Sequence, residues 1–332
     1  MKIVFGLLSC KDSAAAVEQF AKAVWPHVVL VHHDFSKFHD FDAHAENIYL
    51  VDHHVQTRWG DWSLVEAALV LMRQALDRFE FDYFQLVSES CMPIRPVAQF
   101  ENHLQTRRPA VMMNRFPIDS GDGLYNFGWR YFSTVTLFQR IMRRAGAMYF
   151  GKNISCRTFM GVNLRLPTAA HGGWRGRLSS RVGALILRLF SSRLLSDFPA
   201  GAVGPCWVGS QWFGASREAT AQILRARLAW PSLARHYAKC PIPDESYFHT
   251  LIAATSAGSV IGGNHYTSWA SAGSGPDQLQ LSDFPALLAS DSFFARKLSL
   301  NPLCPLRLAL LENTRTVPVR AAHRCERLDS HA

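Results

Sequence analysis

The order of apolar and polar positions divides the chain into alternating strands and helices. Residues 2–9, KIVFGLLS, are an apolar run without alternation, the pattern of a strand covered on both faces of a parallel sheet. Lys11, Asp12 and Ser13 then open a helix through about Ala23, with Asp12 or Ser13 as N-cap. HVVLVHHD (27–34) predicts a second buried strand, and NIYLVD (47–52) a shorter third. Helical spacing of the apolar residues in DWSLVEAALVLMRQALDRF (61–79) predicts a helix capped by Asp61 or Ser63. DYFQLVSES (82–90) gives a fourth strand. Strands alternating with helices over about the first hundred residues define an α/β chain with a Rossmann-like, mostly parallel sheet flanked by helices.

Later the pattern loosens. PAVMMNRFP (109–117) reads as one strand, and GWRYFSTVTLFQRIMRRAG (128–146) starts extended and becomes helical. Residues 171–198 carry Arg175, Arg177, Arg181, Arg188 and Arg193 around a Leu/Ile/Phe stripe. Two readings fit: a surface helix docking on the core, or a basic amphipathic helix on an anionic membrane surface. CWVGSQWFGASREATAQIL (206–224) predicts a short strand, a turn and a helix. A helix follows CPIPDESYFHTLI (240–252), then a strand near 259–261 and a last helix over DFPALLASDSFFARKL (283–298). Beyond about residue 300 the pattern dissolves into an Arg-rich, Pro-punctuated tail. The expected organisation is one domain over 1–300 with a tail at 301–332. Within the domain, 1–115 would be the nucleotide-binding half and 116–300 the acceptor and catalytic half.

Composition sharpens this. Of 332 residues, 48% are hydrophobic and 18% charged, enough apolar material for a core and too much for a disordered chain. Lys and Arg outnumber Asp and Glu 35 to 26, a net charge of +9 that suits a polyanionic partner. The arginines are spread along the chain, so nucleic acid is not favoured. Seven cysteines without a CxxC pair read as reduced thiols of a cytosolic protein. No apolar run reaches about 18 residues, so no transmembrane helix is expected.

Ligands bind at the strand ends of such a sheet. Here those ends read Ser9-Cys10-Lys11, His32-His33-Asp34, Asp52-His53-His54 and Ser88-Glu89-Ser90. No GxGxxG follows the first strand, which disfavours a dinucleotide site. Adjacent histidines on a strand point to opposite faces, so neither His pair supplies two ligands to one metal. The literal DxD at Asp40–Asp42 precedes the third strand instead of following the fourth. No GxSxG elbow is present. In CPIPDESYFHTLI, Asp244 and Glu245 are either ordinary first-turn acids of a helix or include a catalytic base.

Five segments taken together resemble one family. TRWGDWSLVEAAL (57–69) resembles its W-G-[GD]-x-S-L-V-x-A motif, and VSESCMPIRP (87–96) its L-S-x-x-x-x-P-[LI]-[KR] strand end. GSQWFGASREA (209–219) is similar to G-S-x-W-[WF]-x-[LV]-S-R-E, and PDESYFHTLI (243–252) to P-D-E-x-[FY]-[FL]-x-T-[LI]. SDFPALLASDSFFARKL (282–298) resembles the closing motif ending F-A-R-K-F. The family is that of core-2/I-branching β-1,6-N-acetylglucosaminyltransferases and peptide O-xylosyltransferases, in a bacterial-type form. The resemblance implies a GT-A type fold and inverting transfer from a UDP-sugar, GlcNAc or xylose among the donors. It implies no metal and no cofactor. The acceptor would be a hydroxyl of a glycan or glycolipid. The alternative is a non-catalytic carbohydrate- or membrane-binding protein that keeps the fold.

By the same resemblance Glu245 is the general base and Lys297 meets the diphosphate, with Arg296 beside it. Lys297 could otherwise be a helix-end lysine facing the dipole. Donor contacts are expected from Ser9, His33, Asp34, Trp59 and Ser63, though Trp59 could be packing and Ser63 a cap. Acceptor contacts are expected from Glu89, Arg130, Tyr131, Tyr266 and Trp269. Ser210, Trp212 and Ser216 to Glu218 would wall the base. Relatives carry a basic residue where this chain has Asp277, and an acid there would repel a diphosphate. The expected location is cytoplasmic, with peripheral contact at the inner membrane face.

Overall fold

The computed structural model describes residues 1–118, 137–150, 154–159, 162–167, 174–190, 198–255, 258–269 and 276–315. In chain order the first half runs β1 (Ile3–Ser9), α1 (Ala14–Ala23), β2 (Val28–His33), β3 (Ile48–Leu50), α2 (Ser63–Arg78), β4 (Tyr83–Ser88), β5 (Met92–Pro93), α3 (Val97–Arg107), β6 (Val111–Met112) and β7 (Arg115–Pro117). Next come α4 (Leu137–Phe150), β8 (Ile154–Phe159), β9 (Val162–Pro167), α5 (Trp174–Leu189), α6 (Ala200–Val203), β10 (Trp207–Gly209), β11 (Gly214–Ser216), α7 (Arg217–Ala229) and α8 (Pro231–Tyr237). The chain closes with α9 (Tyr247–Thr255), β12 (Val260–Ile261), β13 (His265–Tyr266), α10 (Phe284–Ala289), β14 (Phe294–Ala295) and α11 (Pro305–Arg315).

The central sheet has the order β12-β6-β11-β4-β1-β2-β3. All its pairs are parallel except those that β11 makes with β4 and β6. Along β1, Ile3, Phe5 and Leu7 join one apolar cluster with α1 and α11, while Val4 joins the other with α2, α7 and α9. Helices therefore cover both faces, and the period-two alternation of side chains makes β1 apolar from Ile3 to Leu8. This is the mixed α/β, mostly parallel architecture expected of a GT-A-like glycosyltransferase fold.

Three expected elements take a different form. PAVMMNRFP is two short strands, β6 in the central sheet and β7 paired with β10. The break falls at Asn114, whose Oδ1 accepts from Gly263 N at 2.6 Å. The final predicted helix stops at Ala289; Phe294 and Ala295 are strand, pairing with His265–Tyr266 and with Met92–Pro93. Lys297 thus follows a strand and does not end a helix. Residues 305–315, read as part of a tail, are helical: Leu306 and Leu310 are buried, and Arg307 is fully enclosed, donating to Gln19 Oε1 and to the carbonyls of Ala16 and Glu89. Among the described residues no helix is long and apolar enough to cross a membrane.

Candidate active site

A cleft of about 480 Å³ opens at the carboxyl ends of β1, β2 and β4. The chain steps from β1 outward to β2 and β3, then returns to β4 on the other side of β1, so the cleft lies at the topological switch point. Glu89, just after β4, spans the gap. Its Oε2 accepts from Ser9 Oγ at 2.9 Å, Cys10 N at 3.0 Å and Lys11 N at 3.2 Å. The carboxylate expected to meet acceptor is therefore the brace of the β1 turn.

Glu245 reaches the cleft through three docked segments. Ile242 adopts a left-handed backbone, φ 52°, rare for a β-branched residue. That turn lets Ile242 N donate to Gly60 O at 2.9 Å, and the 3-10 turn Pro243–Glu245 begins immediately after it. The Trp62 and Tyr247 rings meet edge to face at 4.9 Å, joining the starts of α2 and α9. Ser246 Oγ donates to Trp207 O at 2.7 Å, and Thr250 Oγ1 accepts from Trp207 N at 2.9 Å. Buried His249, which burial pushes down to about 3, lies 2.9 Å from Ser210 O through Nε2. The segments around Trp59, Trp207 and Glu245 are thus one unit.

Further lining comes from β13 and from the residues that follow β14. Arg296 N donates to Tyr266 O at 2.9 Å and Leu298 N to Ser90 O at 2.9 Å, fixing Arg296 and Lys297 between the two sheets. The Arg296 guanidinium lies 4.4 Å above the Trp212 ring, a cation–π contact. Lys297 is half-buried. Burial first, then the charges of Lys11 and Arg296, hold its pKa below the ordinary lysine value, so three cations share this end of the cleft. Sequence reasoning passed over Lys11 as a site residue, although its place directly after β1 marks it.

Several polar atoms of the cleft wall are buried without a hydrogen-bond partner: Asp244 Oδ1, Arg296 Nη1 and both ring nitrogens of His265. Buried polar groups are nearly always satisfied, so these atoms leave the cleft wall with unmet hydrogen-bonding capacity. Burial, reinforced by the adjacent Glu245 charge, pushes the Asp244 carboxyl up to about 7. Its folded value lies above the ordinary 3.8, so its contribution to stability is intact below that value and lost as pH rises through 7. Asp244→Asn should therefore unfold at a higher temperature than the parent at about pH 8, with the gap shrinking toward about pH 4. Thermal unfolding at the two pH values checks this; a pH-independent gap would show that Asp244 does not titrate in that range.

Of the residues expected from the sequence, Glu245, Lys297, Arg296, Ser9, Trp59, Glu89 and Trp269 line the cleft. Trp59 is 77% exposed there, which rules out the packing role. His33, Asp34, Ser63 and Tyr266 are not among its lining residues. Alternation along β2 puts His32 at the cleft instead, its Nε2 accepting from Val55 N at 2.8 Å. His33 lies behind it, 2.8 Å from Ser9 Oγ and 2.7 Å from Phe38 O. Burial acts to raise the Asp34 pKa, but hydrogen bonds from Ser36 and Thr57 outweigh it and hold the carboxyl well below the usual range. Asp34 thereby anchors Thr57, which does line the cleft. Ser63 Oγ accepts from Arg58 N at 2.9 Å. Tyr266 pairs with Ala295 in the second sheet. Arg130 and Tyr131 lie outside the described residues.

Asp277 is also absent from the lining. Its N donates to Ser268 O at 2.8 Å and its Oδ2 accepts from Ser268 Oγ at 3.3 Å, so the carboxylate closes the loop on itself. Asp42, of the literal DxD, pairs with His44 at 2.8 Å on an exposed loop. Among the described residues no group of three or more His, Cys, Asp or Glu converges as metal ligands would.

The fold is a GT-A-like α/β fold, with a polar cleft at the switch point that both acids and cations line. The chain matches the Core-2/I-Branching enzyme family over residues 14–133 and 174–288, and it belongs to that glycosyltransferase family. It is also similar to "Xylosyltransferase sqv-6" of Caenorhabditis elegans, 25% identical over 165 residues. That stretch covers 46% of this chain and 20% of the relative, so the chain spans a small part of that protein's length.

Proposed function

We propose that this chain transfers a sugar from a UDP-sugar to a hydroxyl of a glycan or glycolipid, with inversion and without a metal. The observation that carries the reading is one cleft lined by both the acid Glu245 and the cations Lys11, Arg296 and Lys297. Inverting transfer is an in-line displacement at the anomeric carbon. A base takes the acceptor proton on one side while positive charge stabilises the departing diphosphate on the other. Three cations supply that charge from side chains alone. Exposed Trp59 and half-buried Trp269 offer aromatic faces for the base or a sugar ring.

GlcNAc is the first donor to test, and the similarity to a xylosyltransferase adds xylose. UDP release from a panel of UDP-sugars, with a mixed pool of glycan and glycolipid acceptors and excess EDTA, tests the reading. Acceptor-dependent turnover of one donor is expected, unchanged by chelation. Turnover that vanishes with EDTA and returns with manganese would overturn the metal-free mechanism.

A further inference from the structure

The helix α5 is apolar on two opposite faces. One face packs on α4 through Leu187, which clusters with Met142 and Ala145, and the Phe138 and Phe190 rings meet at 5.6 Å. The other face carries Trp174, Leu178, Val182, Leu185 and Leu189, which are between 39% and 66% exposed. At about 100° per residue these five fall within an arc of about 80°. A contiguous exposed apolar stripe of this kind is uncommon on a soluble protein and marks an interaction surface. Leu137 and Ile141 of the neighbouring α4 are exposed as well.

Charge decides what fits the stripe. Neither helix holds a single Asp or Glu. Their sequences hold Arg140, Arg143 and Arg144 on α4, and Arg175, Arg177, Arg181 and Arg188 on α5. Arg181 and Arg188 are exposed and sit beside the stripe, within about 60° of its near edge. A second copy of this chain would bring those positive charges against each other. An anionic lipid surface accepts both the apolar side chains and the arginines that border them. The helix α4 and the β8–β9 hairpin lie in the stretch between the two that match the family.

We propose that α5 lies in the surface of an anionic phospholipid bilayer, its Trp174–Leu189 stripe among the acyl chains and its arginines at the headgroups. The contact does not depend on which sugar is transferred.

Flotation of the full chain with vesicles tests this. The chain should float with vesicles of phosphatidylcholine containing about one third phosphatidylglycerol, and stay in solution with phosphatidylcholine alone. About 1 M salt, where the screening length falls to about 3 Å, should weaken binding. Leu178→Glu with Leu185→Glu should weaken it more than tenfold, and Arg181→Gln or Arg188→Gln by about fivefold each. These residues are exposed, so the variants should keep the parent's unfolding temperature. No flotation with anionic vesicles, or flotation indifferent to these substitutions, would overturn the proposal. So would a concentration-dependent dimer, seen by sedimentation, that the Leu variants dissolve in the absence of vesicles.

Discussion

Glu245→Gln should lower the rate of sugar transfer by about 10²- to 10⁴-fold, the range a positioned general base supplies. Glutamine keeps the shape of the side chain and its place at the end of the 3-10 turn but cannot take the acceptor proton. The docking of Ile242 on Gly60, and of Ser246 and Thr250 on Trp207, does not involve the Glu245 carboxylate. The variant should therefore fold like the parent and bind UDP as tightly. Neighbouring Asp244 is 6% exposed, so little of its side chain meets the cleft. Transfer kinetics with matched UDP titration separate the two effects. Near-normal turnover would remove Glu245 as the base.

The second large effect falls on Lys297. Lys297→Ala should cost on the order of 10²-fold in kcat/KM, the usual loss when one preorganised charge is removed from a developing anion. Unlike Glu245→Gln, it should also weaken UDP itself, because the charge meets the diphosphate before and after transfer. Lys297→Arg should recover part of the loss: it keeps the charge while replacing a compact ammonium by a planar fork. Lys11 and Arg296 remain in the alanine variant, so some affinity should survive. Raised KM with unchanged UDP affinity would place Lys297 away from the phosphates.

The long elements could be read directly from the chain. The strand β1 and the helices α1 and α2 have apolar periods long enough to be unambiguous, and the structure places them within a few residues of expectation. Short elements could not. The run FFARKL fits a helix or a strand equally well by pattern. Its pairing with His265–Tyr266 and Met92–Pro93 is a long-range choice invisible locally. The helix α11 was hidden because Arg307 reads as a tail residue, whereas its side chain is buried on the Ala16 carbonyl and Gln19 of α1. At the cleft, the family resemblance pointed to Glu245 and Lys297. The choice between His32 and His33 rests on strand register, which shifts every side chain to the other face with a slip of one residue. For Glu89 the sequence pointed to the cleft but could not reveal that three donors from the β1 turn already occupy one of its oxygens.

The central claim is a nucleotide-diphosphate site built from side-chain cations, and calorimetric titration of UDP in EDTA tests it most directly. Wild type should bind one UDP per chain without added metal, and Lys297→Ala should bind it at least about tenfold more weakly. Absence of binding until manganese is supplied, or equal affinity in the two proteins, would contradict the account.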